Sequence, residues 1–313
     1  MATVAEEEIV EAGDDAVLPF QVGDTAVRGR VVKLGDAIDE ILRVHPYPPN
    51  VLELIGEATA LVILMGASLK FDGKLIFQAQ GDGPVALLVA DFTAGGAVRA
   101  TASLRGEVDP SLRGLRALMG EGHMALTIDQ GPDMERYQGV TPIEGDSLAS
   151  AAVGYFQQSE QIPTAVKLAV GSVSRPGARA TWRAGGVIAQ FVPGEGGVRE
   201  RGEAALKGPE EREIWERAAV LLETTQADEL LDPSISVETL LYRLYHEDGV
   251  RVFKPTPVAA SCGCNAGKIS AVLRRYSPED LADMMEEGVV RVACEFCRRE
   301  YVFDANGEAI DTP

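Results

Sequence analysis

All four cysteines of this 313-residue chain, Cys262, Cys264, Cys294 and Cys297, fall in its last fifth. They form one Cys-x-Cys and one Cys-x-x-Cys pair with 29 residues between the pairs. Unrelated buried cysteines would scatter, whereas two thiolate pairs at this spacing can close one tetrahedral four-cysteine zinc site. The segment must then bring two distant arms to a single point. "CEFC" stands between "VVRVA" (289–293) and "RREYVFD" (298–304), both strand-like, which predicts a metal knuckle at a hairpin turn. Between the pairs, Ile269, Val272, Leu273 and Tyr276 recur at helical spacing. Ser277 then offers an N-cap with Pro278 behind it and Asp280 three residues on, Leu281, Met284 and Met285 form an inner face, and Gly288 is placed to end the helix. About fifty residues bury too little apolar surface to fold alone, so metal would supply much of the stability.

The spacing leaves three readings open: a fixed structural zinc, two metal-free dithiols, or a zinc site built to be lost. Structural ribbons usually use two Cys-x2–4-Cys pairs. The tighter Cys-x-Cys also ligates zinc, but it closes a small, strained and easily reduced disulfide ring as well, and Gly263 relaxes the backbone enough to allow that. Zinc holds its ligands as thiolates, the oxidisable form. A structural zinc contributes about 10–16 kcal/mol of apparent binding energy, against a stability of about 5–15 kcal/mol for a whole domain. Its loss should unfold such a module rather than loosen it.

A chain this long favours more than one domain. Its net charge of −19 argues against a nucleic-acid surface, which needs clustered Lys and Arg. Residues 251–301 are nearly neutral, with eight Lys/Arg and seven Asp/Glu, in contrast to the acidic remainder. The start, "MATVAEEEIVEAGDD", lacks the positive-then-apolar order of a signal peptide. The most apolar run, "ATALVILMGA" (58–67), is too short to span a bilayer and reads as a buried core helix. The expected location is the cytoplasm, with no membrane partner, where cysteines serve as thiols or metal ligands rather than structural disulfides.

The fold class expected is α+β: a mixed N-terminal core domain, a helical linker and a small C-terminal zinc module held by the four cysteines. The boundaries expected are an acidic extension at 1–19, the core at 20–195, a hinge and amphipathic linker at 196–258, and the zinc module at 259–313. In the core, "FDGKLIFQAQGDGPVALLVADF" (71–92) reads as a hairpin about Gly-Asp-Gly-Pro. Strand-like runs occupy 123–128, 164–170 and 186–192. Helices are expected at 36–44, with Ile38, Ile41 and Leu42 inward, and after Asp146, with Leu148, Ala151, Ala152, Tyr155 and Phe156 on one face. The Gly- and charge-rich stretch at 192–211 reads as a loop or hinge. Two amphipathic helices follow, one with Ile214, Trp215, Ala218, Leu221 and Leu222, the other with Val237, Leu240, Leu241, Leu244 and Tyr245. Neither buries its stripe alone. "KPTPVAA" (254–260) is expected to be irregular.

The chain resembles the heat-shock protein 33 family. The resemblance is carried by "AVRGR" (26–30), "HPYP" (45–48), "LKFDGKLIFQAQGDGP" (69–84), "RYQGV" (136–140), "EGDSLA" (144–149), "FQQSEQIPT" (156–164), "AGGVIAQFVP" (184–193) and "LLYRLYHED" (240–248), together with both cysteine pairs. It implies a redox-regulated, ATP-independent holdase chaperone and not an enzyme, with no catalytic residues. The reduced form, holding one zinc ion on Cys262, Cys264, Cys294 and Cys297, would be an inactive monomer. Oxidation would pair Cys262–Cys264 and Cys294–Cys297, release zinc and unfold the module and linker. The active form, a homodimer, would hold unfolded or oxidatively damaged client proteins. Gly263, the weakly charged "NAGKIS", the acidic first 15 residues and the 195–211 stretch depart from the family's usual pattern.

Two other classes compete. A zinc-ribbon protein associated with nucleic acid is motivated by Arg274, Arg275, Arg291, Arg298 and Arg299, although residues 251–301 sum to only +1. A thiol oxidoreductase would turn over Cys294 and Cys297 metal-free. "GDGP" (81–84) lacks the rest of a phosphate loop and reads as a turn. His45, His123 and His246 have no ligand spacing, and "YRLYH" (242–246) reads as helix packing.

Overall fold

The computed structural model describes residues 13–68, 73–131, 134, 136–174, 177, 179–192, 206 and 208–310. Period-two burial in the strands and one helix buried on nearly every side set the layering. The N-terminal elements are β1 (Ala16–Val22), β2 (Val27–Leu34), α1 (Asp36–Leu42), α2 (Pro49–Gly66), β3 (Lys74–Gly81), β4 (Val85–Thr93), β5 (Ala97–Leu104), α3 (Leu115–Met119), β6 (Gly122–Asp129), β7 (Tyr137–Pro142), α4 (Leu148–Tyr155) with a π-helical turn at Phe156–Glu160, β8 (Thr164–Val173) and β9 (Thr181–Phe191). Next come α5 (Pro209–Glu223), α6 (Ala227–Leu231), α7 (Val237–Tyr245) and β10 (Val250–Val252). The chain ends with β11 (Thr256–Pro257), β12 (Ala259–Ala260), α8 (Ala266–Leu273), α9 (Pro278–Asp283), β13 (Val290–Ala293) and β14 (Glu300–Phe303). The architecture is α+β, as expected.

Sheet A has the order β10-β1-β2-β9-β8, with β11 also on β1, and sheet B the order β12-β5-β4-β3-β6-β7. Helix α2 lies between them. On one side it meets Val17, Val32, Leu34 and Ile188 of sheet A, on the other Phe77, Leu88, Ala90 and Phe92 of sheet B. Pro49 starts the helix at the first position, where a missing N–H costs nothing. The helix therefore runs 18 residues, longer than the apolar run at 58–67. It is long and apolar enough to cross a bilayer by length and composition, and it is 83% buried inside the fold. Close approach to sheet A requires a glycine here: a Cβ on Gly56 would lie 2.7 Å from Val170.

The opposite face of sheet A is just as apolar. Leu18, Phe20, Val22, Val27, Val31, Val187, Ala189 and Phe191 point away from α2, and α5, α6 and α7 cover them. Both helical stripes expected from the sequence, from Ile214 to Leu222 and from Val237 to Tyr245, are spent on this contact.

Most expected elements are present. The hairpin is β3–β4, its turn at 82–84, although 71 and 72 lie outside the described residues. The strand runs are β6, β8 and β9, and Ser147 caps α4 through the backbone N–H of Ser150. Residues 193–205 and 207 of the expected hinge lie outside the described residues, as do 1–12. One expected element fails: 254–260 is not irregular. Thr256–Pro257 pairs antiparallel with β1, and Ala259–Ala260 pairs parallel with β5. The edges of both sheets carry backbone groups that need partners, and this crossing segment supplies them. Gly96, at φ +101°, makes room for the crossing, where a Cβ would strike the Pro257 carbonyl.

Candidate metal centre

The two cysteine arms are shaped by short local devices. The first follows β12 directly and ends at α8, whose N-cap Asn265 accepts the Lys268 backbone N–H at 2.9 Å. The second is the turn between β13 and β14. Cys294 N–H donates to the Arg299 carbonyl at 2.9 Å, and Arg298 N–H donates to the Cys294 carbonyl at 2.8 Å. Arg298 takes the left-handed conformation that closes the knuckle, at φ 58°. The expected hairpin and knuckle are thus formed.

All four Sγ atoms lie within 4.8 Å of one another. Cys262 and Cys294 approach to 3.7 Å, and Cys264 and Cys297 to 3.4 Å. A tetrahedral zinc with Zn–S bonds of about 2.3 Å separates its sulfurs by about 3.8 Å. The cluster therefore fits a zinc site with four thiolate ligands, and it is the one such cluster of His, Cys, Asp or Glu found among the described residues. Gly263 is not held in a glycine-only conformation, and a Cβ there would meet nothing nearer than Lys268 Nζ at 3.7 Å. A side chain at this position would fit the arm as it stands.

The thiols do not share one electrostatic environment. Burial raises Cys262. Burial, reinforced by hydrogen bonds with the neighbouring thiols, pushes Cys297 up to about 12. Burial acts the same way on Cys264, but the Tyr301 hydroxyl at 3.2 Å and the other three sulfurs outweigh it and bring it to about 7. Four thiolates in one place need a cation, and a bound zinc deprotonates coordinating thiols outright.

Little else holds this part of the chain together. Its apolar cluster has four buried members, Leu273, Leu281, Val290 and Phe303. Val272, Tyr276 and Met284, expected on inner helix faces, are exposed, because the shallow cluster covers one side of each helix.

The core domain grips the cysteine arms through β5, which the sequence did not single out. Ser261 N–H donates to the Val98 carbonyl at 2.9 Å, next to the β12–β5 pairing. Thr101 Oγ1 donates to the Glu295 carbonyl at 2.9 Å. Arg99 Nη1 lies 3.9 Å from Cys262 Sγ, and its guanidinium sits over the Phe296 ring at 4.0 Å. His45 is buried, stacked on Tyr47 at 5.1 Å, and its pKa is lowered by burial and by the charge of Arg298. It belongs to the contact between core and module, a position no ligand spacing could reveal. His123 and His246 lie away from the cysteines.

A second set of polar contacts holds the linker. Lys33, 2% exposed, donates from Nζ to the carbonyls of Glu229, Asp232 and Ile235 at 3.0, 2.6 and 2.7 Å. Arg183 Nε donates to the Leu231 carbonyl at 2.6 Å. Two core cations thus bind the carbonyl end of α6, where the helix dipole is negative. Above them, Tyr245 is fully buried, its ring stacked on Phe20 at 5.8 Å and its hydroxyl donating to the Ala218 carbonyl at 3.2 Å.

Comparison with known proteins gives one consistent result. The family model described as "Hsp33 protein" matches residues 15–304. A protein named 33 kDa chaperonin from Caulobacter vibrioides is 47% identical over 304 residues, covering 94% of this chain and 96% of its own. Another of that name from Azotobacter vinelandii is 38% identical over 290 residues, covering 91% and 90%. The crystal structure of the 33 kDa chaperonin from Thermotoga maritima superposes with a TM-score of 0.74 at 21% identity, covering 94% of this chain and 96% of that one. At that identity the likeness speaks to the fold.

Proposed function

Since this chain belongs to the Hsp33 family, we propose that it is a cytoplasmic, ATP-independent holdase chaperone whose activity is switched by oxidation. The division into core (20–195, which β1 extends back to Ala16), linker (196–258) and switch module (259–313) is part of this proposal. One observation carries it. The apolar outer face of sheet A is covered by α5–α7, and the segment that leaves these helices runs through β10, β11 and β12 straight into the four-cysteine cluster. A surface able to hold unfolded chains, its cover and the sensor lie in series on one polypeptide.

The reduced state is inactive because the cover is on. Cys262, Cys264, Cys294 and Cys297 would hold one zinc, which when bound keeps all four sulfurs as thiolates and cross-links the two arms. Oxidation pairs Cys262 with Cys264 and Cys294 with Cys297. In each pair two thiolates give two electrons to a peroxide. One S–S bond forms, the O–O bond breaks, and with two protons taken up two waters leave. Neither local disulfide spans the interval between the arms, so neither restrains the long loop between them. Four buried apolar side chains cannot hold that interval. Once the module unfolds, the pairings of β11 with β1 and β12 with β5 lose their support, the linker loses its far anchor, and the outer face of sheet A opens to unfolded or oxidatively damaged clients. That apolar face, left uncovered, also accounts for dimerisation of the oxidised form.

The test follows zinc, free thiols and aggregation of a thermally unfolding client together during peroxide treatment. One zinc released as four thiols disappear, with protection of the client rising in step, is the expected result. Protection that is equal before and after oxidation, or zinc retained throughout, would reject the switch.

A further inference from the structure

We propose that Arg99 is the positioning residue through which the core sheet governs how tightly the four cysteines keep their metal. This rests on the reading of the cluster as a zinc site.

Asp91 faces Arg99 across the β4–β5 ladder, and its carboxylate is 6% exposed. It accepts from Arg99 Nε at 2.8 Å and Nη2 at 2.6 Å. This two-point grip turns Nη1 toward Cys262 Sγ and lays the guanidinium plane over Phe296. Cys262 belongs to the first arm, and Phe296 stands between the two cysteines of the second. A single side chain therefore touches both arms. Lys74 Nζ reaches the same carboxylate oxygen at 3.6 Å, so two cations share one buried anion and positive charge is left facing the sulfurs. Zinc on four thiolates carries two net negative charges, and the guanidinium complements them. The three tasks of forked grip, stacking and charge need the planar, permanently charged group of arginine, which lysine does not reproduce. Thr101, two residues on and on the same face of β5, fixes the other inner residue of the knuckle through the Glu295 carbonyl. The core thus pre-positions the ligands before any metal binds. Losing an outer partner of this kind costs about 10–100-fold in metal affinity.

The test uses the full-length reduced chain in competition with a chromophoric zinc chelator. Arg99→Met keeps the packing volume but neither charge nor fork, Arg99→Lys keeps charge alone, and Phe296→Leu removes the ring under the guanidinium. The proposal expects zinc affinity to fall about 10–100-fold in Arg99→Met and less in Arg99→Lys, measured on chains whose core is still folded, although the thermal midpoint also falls in Arg99→Met because the buried Asp91 carboxylate loses its two donors. It also expects added salt to weaken zinc binding in the parent chain more than in Arg99→Met. Parent-like affinity in Arg99→Met, or equal losses in all three variants, would overturn the role of the charge. If Arg99→Met fails to fold, a salt-insensitive affinity in the parent chain overturns it instead. A parent chain that binds no zinc at all would refute the zinc reading and not this assignment alone.

Discussion

Tyr245→Ala should uncover sheet A without touching the metal centre. The side chain is fully buried between α7 and β1, its ring stacked on Phe20 and its hydroxyl held by the Ala218 carbonyl of α5. Removing a buried ring of this size costs about 3–5 kcal/mol, and the hydroxyl's bond to the Ala218 carbonyl goes with it. The loss falls on the docking of α5–α7, since Tyr245 packs in the apolar cluster between sheet A and these helices. At about tenfold per 1.4 kcal/mol, the undocked population should grow by about two to nearly four orders of magnitude. Tyr245→Phe keeps the stacking and loses the hydroxyl, which costs about 0.5–1.5 kcal/mol, and should move the equilibrium by no more than about tenfold. Amide hydrogen exchange on reduced, zinc-loaded protein checks this. Peptides from 209–245 should exchange faster in that ratio between the two variants, peptides from α2 should not change, and Tyr245→Ala should suppress client aggregation with no peroxide added. If α2 accelerates as much as the linker, the helices open only with global unfolding and the separate cover does not exist. If the linker does not accelerate, the ring is not what holds it.

Other perturbations probe other joints. Lys33→Met removes the donor shared by the carbonyls of Glu229, Asp232 and Ile235, of which that of Asp232 keeps the Ile235 N–H at 3.3 Å. At about 1–3 kcal/mol per unsatisfied group, partly offset by no longer burying an ammonium, it should loosen α6 while zinc content stays at one per chain, as metal analysis beside hydrogen exchange would show. Glu57, on α2, is raised to about 7 by burial and by Glu53. Its folded pKa lies above the unfolded value of about 4.3, so the folded state keeps a proton the unfolded chain has lost, and stability falls as pH rises from about 4 to 7. Glu57→Gln should raise the thermal midpoint at pH 8, recovering about 2–4 kcal/mol, and do little at pH 4; a gain equal at both would refute the assignment. Gly96→Ala combines a positive φ with a clash on the Pro257 carbonyl, so it should displace the β11–β12 crossing and lower the peroxide concentration at which zinc is lost, measured by chelator absorbance.

What the sequence disclosed was whatever is written at short range. The cysteine pairs, the knuckle between two strand-like runs, the Gly-Asp-Gly-Pro hairpin and the stripes of α5 and α7 each declare themselves within a few residues. The supports of the site do not. Arg99 and Thr101 lie on "AVRATASL", a strand of small residues with weak alternation, and their partners Cys262 and Glu295 are 163 and 194 positions away. The β11 and β12 pairings are invisible for the same reason, being two-residue strands defined entirely by the edges they meet. Lys33 looks like a solvent-facing residue of β2 until α6 is placed over it. Val272 and Tyr276 mislead in the other direction: helical spacing identified the helix, but the module is too thin to bury everything that spacing allows.

The order of elements along the chain also fixes an order in time. The four long strands of sheet A are complete once Phe191 has been made, while the cover ends only at Tyr245, 54 residues later. At about 5–20 residues per second of synthesis, that interval lasts about 3–11 s. During it the outer face of the sheet lacks its full cover, since α5 ends at Glu223 and α7 only at Tyr245, and the cysteines that would lock the helices down are not yet made. Each new copy therefore passes through the uncovered arrangement before it reaches the covered one. The covered state is something the chain has to close into, from its amino end toward its carboxyl end, and under the proposed switch oxidation at the carboxyl end would retrace the last part of that path.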